Sequence, residues 1–74
     1  MLSGAIASVI MAIEYDSVHY TYNASKGQFV LFDGSAETRD ENLKFQGNTG
    51  WSLVTTVTFS EQGNLHLIDT LIRS

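Results

Sequence analysis

The 74-residue chain contains no cysteine, which excludes disulfide staples and thiol catalysis. Basic residues are scarce too: four Lys and Arg stand against eight Asp and Glu, a formal net charge of −4. Holding a phosphate backbone by counterion release needs a surplus of cations, so nucleic acid is not an expected partner. A membrane-spanning run is also missing. Residues 1–13 carry no charge, but Glu14 interrupts them well short of the ~20 apolar residues a spanning helix requires, and no basic cluster marks a secretory signal. The expected location is the cytoplasm, which a cysteine-free chain suits.

What is present is apolar. Hydrophobic residues make up 43% of the chain, too many for a disordered segment. A chain this short buries only ~60% of the surface it exposes when unfolded, so residues 1–74 form a single domain of marginal stability. Small folds offset that shortfall with a disulfide, a metal or a partner subunit, and self-association is the remedy these residues favour.

Along the chain, residues 1–13 fit two periods equally: Leu2, Ile6, Val9, Ile10 and Ile13 at helical spacing, or Ala5, Ala7, Val9, Met11 and Ile13 in alternation. The β-branched pair Val9 and Ile10 tilts the balance toward extended structure from Val9 onward. Met11 offers a second start, which makes residues 1–11 a candidate N-terminal extension. Residues 12–22 read as a strand whose apolar register slips by one across Ser17, the mark of a bulge. A turn over residues 23–27 and a short strand over 28–32 complete a first hairpin. Thr38 followed by Glu41 is a capping box, so a two-turn helix is expected from Thr38 to Gly47, with Gly47 ending it in the left-handed conformation. Its two large apolar groups, Leu43 and Phe45, project about 200° apart, so only one docks well.

Trp51, Leu53, Thr55, Val57 and Phe59 alternate with polar or smaller residues, predicting a strand with one apolar face. After a Gly-containing loop, a last strand over residues 65–72 sets Leu65, Leu67, Asp69 and Leu71 on one side and His66, Ile68, Thr70 and Ile72 on the other. Both sides are partly apolar, so this strand is either central in its sheet or covered by a partner chain. The predicted architecture is α+β: a small antiparallel sheet of about four strands, made of two hairpins with one short helix between them.

Leu43, Gly47, Gly50, Trp51, Leu53 and Val54 stand at spacings that resemble the signature of the small bacterial and phage proteins grouped as domain of unknown function 4177. The closing Leu71-Ile72-Arg73 is similar to that family's last strand with its basic residue. The likeness covers roughly the last 32 residues. Gln46 departs from it, standing where the family usually has a second helix leucine, and the loop after Phe59 is differently composed. The resemblance implies a short helix feeding through a Gly-rich turn into a hairpin, and it implies no activity. Trp51 opens that hairpin, where a large ring is more often core than ligand platform.

No catalytic constellation can be assembled. Serines are many but none sits in a Gly-x-Ser-x-Gly elbow, and the neighbouring Asp40 and Glu41 suit the first turn of a helix. His19 and His66, with Asp16 and Asp69, are the only residues from which a metal site could be imagined. His66 and Asp69 point to opposite faces of one strand, so no metal and no cofactor is expected. The leading expectation is a non-catalytic homo-oligomeric or protein-interaction module, with Ile6, Val9, Ile10, Ile68 and Ile72 as its candidate interface. Two alternatives stand beside it. One is a small-ligand binder using Tyr15, Tyr20, Tyr22 and Trp51 as an aromatic pocket; the other is a small acidic antagonist of a basic site on a larger protein.

Overall fold

The computed structural model describes residues 13–74. They form β1 (Glu14–Asn23), β2 (Gln28–Leu31), α1 (Arg39–Asn48), β3 (Ser52–Glu61) and β4 (Asn64–Arg73). The strands make one antiparallel sheet in the order β2-β1-β4-β3. The fold is α+β with two hairpins and a helix between them, as the sequence predicts. Its last strand is central, which accounts for apolar groups on both of that strand's sides. Ile6, Val9, Ile10 and the candidate extension over residues 1–11 lie outside the described residues.

The bulge is not where the apolar pattern put it. β1 pairs with β4 from Glu14↔Arg73 to Thr21↔His66 without a slip at Ser17. Tyr15 therefore faces one side of the sheet, and Val18, Tyr20 and Tyr22 face the other. The irregularity lies in β3, between Leu53 and Thr55. There Leu53 pairs with Leu71, whereas Val57 and Phe59 pair with Ile68 and His66 on the opposite face. The single apolar face expected for residues 51–59 is thus divided between the two sides. Gln62 (φ 53°) and Gly63 (φ 79°) close the β3–β4 hairpin, both in the left-handed region that a two-residue type I′ turn requires.

The helix starts as predicted. The Thr38 hydroxyl accepts the Glu41 N–H (3.3 Å), and a Glu41 carboxylate oxygen accepts the Thr38 N–H (2.9 Å). These bonds from the Thr38 main chain and hydroxyl lower the Glu41 carboxyl below its ordinary range. The end differs from expectation. Gly47 stays inside α1, and Gly50 takes the left-handed turn at φ 93°. The Trp51 N–H then donates to the Gln46 carbonyl (2.9 Å) and the Gly50 N–H to that of Gly47 (3.2 Å), a Schellman motif one turn farther on than the sequence implied.

Polar contacts dock this helix. Phe45 is exposed, Leu43 is half-buried and the one buried residue of α1 is Asn42. Arg39 reaches down to Asp69 on β4, which is fully buried, donating from Nε to Oδ2 (2.8 Å) and from Nη2 to Oδ1 (3.0 Å). The Thr56 hydroxyl of β3 donates to the same Oδ1 (2.7 Å). The Tyr20 hydroxyl donates to Asn42 Oδ1 (2.9 Å), and Asn42 Nδ2 donates to Glu37 (2.9 Å). Tyr20, Leu67 and Leu71 form a small apolar floor on that covered face. Leu67 and Leu71 each contribute about 1.5–3 kcal/mol by burial, and the directional polar contacts fix where the helix sits over them.

Urea denaturation reads three outcomes. Gly50→Ala should lose about 1 kcal/mol through its positive φ alone, since an added Cβ would meet only the Arg73 side chain, at an ordinary 3.5 Å from Cδ and 3.8 Å from Cγ. Asp69→Asn should lose about 3 kcal/mol, at the low end for a broken buried pair because the Arg39 side chain is 26% exposed to water. The double replacement Arg39→Met, Asp69→Leu should recover most of that loss.

Candidate functional site

Residues directly opposite one another in a sheet share a face, so the register assigns every side chain of the central strands. With α1 on one face, the other displays Tyr15, Ser17, His19 and Thr21 from β1 and His66, Ile68, Thr70 and Ile72 from β4. β3 adds Ser52, Thr55, Val57, Phe59 and, at the hairpin end, Glu61. Glu61 is the one acid among these side chains, and none is a lysine or an arginine. Tyr15 is 74% exposed, and Val57 and Phe32 are each 55% exposed. This open face carries the candidate site.

At its centre four rings, one contributed by each strand region, form a cluster. Phe32, just after β2, stacks on His19 (centroids 4.2 Å apart, 16° between planes). Phe59 of β3 stacks on His66 of β4 (5.0 Å, 9°). Between these two stacks, His19 Nε2 and His66 Nδ1 approach to 3.0 Å, one imidazole donating to the other. His66 is buried at 6% exposure, because the Phe59 and Phe32 rings flank it. Beside His19, where β2 stops short of the full length of β1, an open groove of about 310 Å³ is lined by Ser17, Val18, Leu31, Phe32 and Asp33. Both histidines are candidates from the sequence, but their contact is not legible there, since 47 positions separate them and only strand register joins them.

The sheet's two edges differ. Beyond β2 the chain folds back, with the Leu31 N–H donating to the Glu37 carbonyl (3.0 Å) and Val30 bridging Thr38. That edge is capped. β3 is the other edge, and all its residues except half-buried Phe59 are exposed.

The expected aromatic pocket does not assemble. Tyr20 is fully buried under α1, Tyr22 packs edge-on against Phe29 (5.4 Å, 73°), and Tyr15 stands on the opposite face. Trp51 lies at the far end of the sheet, where the Arg73 guanidinium sits 4.4 Å above its ring and donates to Glu14 (3.0 Å). The physical reason is the uninterrupted register of β1, which separates residues 15 and 20 by an odd number of positions. Ile68 and Ile72 do share the open face, both half-buried. No cluster of three or more His, Asp or Glu that could hold a metal occurs among the described residues, and none of their helices is long and apolar enough to cross a membrane. No family model, curated protein or solved structure matches the chain.

Tyr20 also sets a pH response. Burial, then the nearby Asp69 carboxylate, pushes its phenol up to about 12. The unfolded chain releases this proton from about pH 10 while the folded one keeps it, so stability is full below pH 10 and falls as pH rises toward 12. Tyr20→Phe should start less stable, having lost the Asn42 bond, and should lose less over that window in denaturation midpoints. Equal slopes for the two proteins would refute this role for Tyr20.

Proposed function

We propose that this protein is a non-catalytic self-associating module in which a second copy pairs along β3. The observation that carries the reading is the chemistry of that edge. From Ser52 to Ser60 the strand has no charged residue, and its sequence Ser-Leu-Val-Thr-Thr-Val-Thr-Phe-Ser is rich in the β-branched residues that favour pairing. Monomeric sheet proteins blunt such an edge with lysines, prolines or a covering element. Among the described residues this edge has only the bulge beside Val54, which leaves the stretch from Thr55 onward regular.

A two-fold antiparallel pair centred on Val57 sets Thr55 of one copy opposite Phe59 of the other, within the regular stretch beyond the bulge. No carboxylates then meet, and main-chain donors and acceptors on both copies are satisfied. The small apolar floor, with Leu53, Val54 and Val57 left exposed, gives the chain a reason to bury more surface. The non-catalytic part of the reading rests on the histidines, whose hydrogen bond is spent on one another rather than on a hydroxyl nucleophile. The Gly-Trp-x-Leu-Val resemblance is compatible with this role and adds no activity to it.

Sedimentation equilibrium at micromolar concentration should find a dimer, and a monomer at all concentrations up to 100 μM would sink the proposal. In the two-fold pair Val57 lies opposite Val57 of the other copy. Val57→Lys therefore brings like charges face to face and should dissociate the dimer at least tenfold more readily, with greater effect at low salt.

A further inference from the structure

We propose that His19 and His66 form a chelating pair for one imidazole-preferring divalent transition-metal ion, such as Zn²⁺, Ni²⁺ or Cu²⁺, on the open face of the sheet. His19 Nε2 and His66 Nδ1 stand 3.0 Å apart. Two nitrogens bound to one tetrahedral ion, each at about 2.0–2.1 Å, stand roughly 3.3 Å apart. A few tenths of an ångström therefore separate the present hydrogen bond from a chelate. Each ring keeps its one proton by carrying it on its other nitrogen, Nδ1 of His19 and Nε2 of His66, so both lone pairs face the gap and no proton is lost overall.

The surroundings hold the rings in that pose. Phe32 stacked on His19 and Phe59 stacked on His66 fix the two ring planes, and the main chains beneath belong to paired central strands. Preorganised ligands sacrifice little freedom when the ion arrives. The donor set also selects the ion. Two neutral imidazoles with no carboxylate in the pair suit Cu²⁺, Ni²⁺ and Zn²⁺ and reject Mg²⁺ and Ca²⁺, which need oxygen ligands. No third His, Asp or Glu completes a cluster among the described residues, and His19 borders the groove beside Phe32, so water from that groove is the source of the remaining ligands. This is a site with free coordination positions, unlike the closed four-ligand sites that hold small folds together. It does not depend on the self-association proposed above, because β3 pairs through its edge and the histidines lie on the face of β1 and β4.

The test uses the full chain without a polyhistidine tag, titrated with Zn²⁺ and separately with Ni²⁺ by isothermal calorimetry, beside a Mg²⁺ control. One ion per chain is expected, with no binding of Mg²⁺. His19→Asn, on the half-buried member, should weaken Zn²⁺ binding at least tenfold, and so should His66→Gln. Circular dichroism of each variant verifies its fold, and His19→Asn provides the deciding comparison if the buried His66 position does not tolerate change. A second readout is the ¹⁵N spectrum of the imidazoles, in which Zn²⁺ should shift His19 Nε2 and His66 Nδ1 and leave the two other ring nitrogens protonated. Zn²⁺ affinity that falls less than tenfold in folded His19→Asn, or imidazole resonances unmoved at saturating Zn²⁺, overturns the proposal. Sedimentation of the same samples with and without Zn²⁺ reads the dimer independently, so loss of one result leaves the other standing.

Discussion

The Asp69 carboxylate under α1 is the interaction on which the rest of this structure depends. An ionised carboxylate with no exposure is tolerated only when it is paired and hydrogen-bonded, and Arg39 with Thr56 supplies three donors to it. Those donors come from the helix and from β3, while the acid itself is on β4. One side chain thereby ties the helix to the central and edge strands. The proton on Arg39 is held more firmly still by its hydrogen bond to Asp69. The Tyr20–Asn42–Glu37 chain repeats the arrangement over β1. A helix with almost no apolar face can stay docked because its anchors are polar and directional.

Polar docking has a consequence for the surface. Since α1 covers only one side of the sheet, the aromatic and β-branched residues of the other side stay in view, and β3 is left exposed on both. Strand pairing then decides what sits beside what. The uninterrupted β1–β4 register sorts Tyr20 into the core and His19 onto the open face, next to the one imidazole that can reach it. The bulge in β3 sends Val57 and Phe59 to the side opposite Leu53, where Phe59 completes the cluster around the histidines. One irregular residue in an edge strand thus separates a conventional apolar stripe from a two-sided strand.

The two surfaces proposed to act lie apart, and they ask different chemistry of a partner. An edge strand offers main-chain donors and acceptors and accepts any strand of compatible register, a second copy foremost because it is present at equal concentration. The histidine pair offers two lone pairs at a fixed spacing and accepts an ion of suitable radius and softness. Neither surface uses the net charge of −4, whose role is to keep exposed chains apart until specific contacts form.

Much of the fold was legible because local patterns carry it. The Thr38–Glu41 capping box, the alternation after Trp51 and the turn residues around Gly27 and Gly63 each specify backbone through neighbours a few positions away. The two-sided composition of the last strand narrowed its place to central or partner-covered, and the sheet order makes it central. The misplaced features have one cause. A one-residue slip in apolar pattern reads the same whether the backbone bulges or the strand feeds two faces, so the pattern predicts a bulge at Ser17 where the structure has one beside Val54, and it groups Tyr15 with Tyr20. Gly47 and Gly50 are equally fit to end a helix by composition, and the Schellman bonds from Gly50 and Trp51 choose between them. The sequence by itself therefore determined the elements, their order and the α+β class, because these follow from contacts local in the chain. Only the tertiary structure decided that Asp69 meets Arg39 across 30 positions and His19 meets His66 across 47, because strand register is a property of the whole sheet and leaves no local trace.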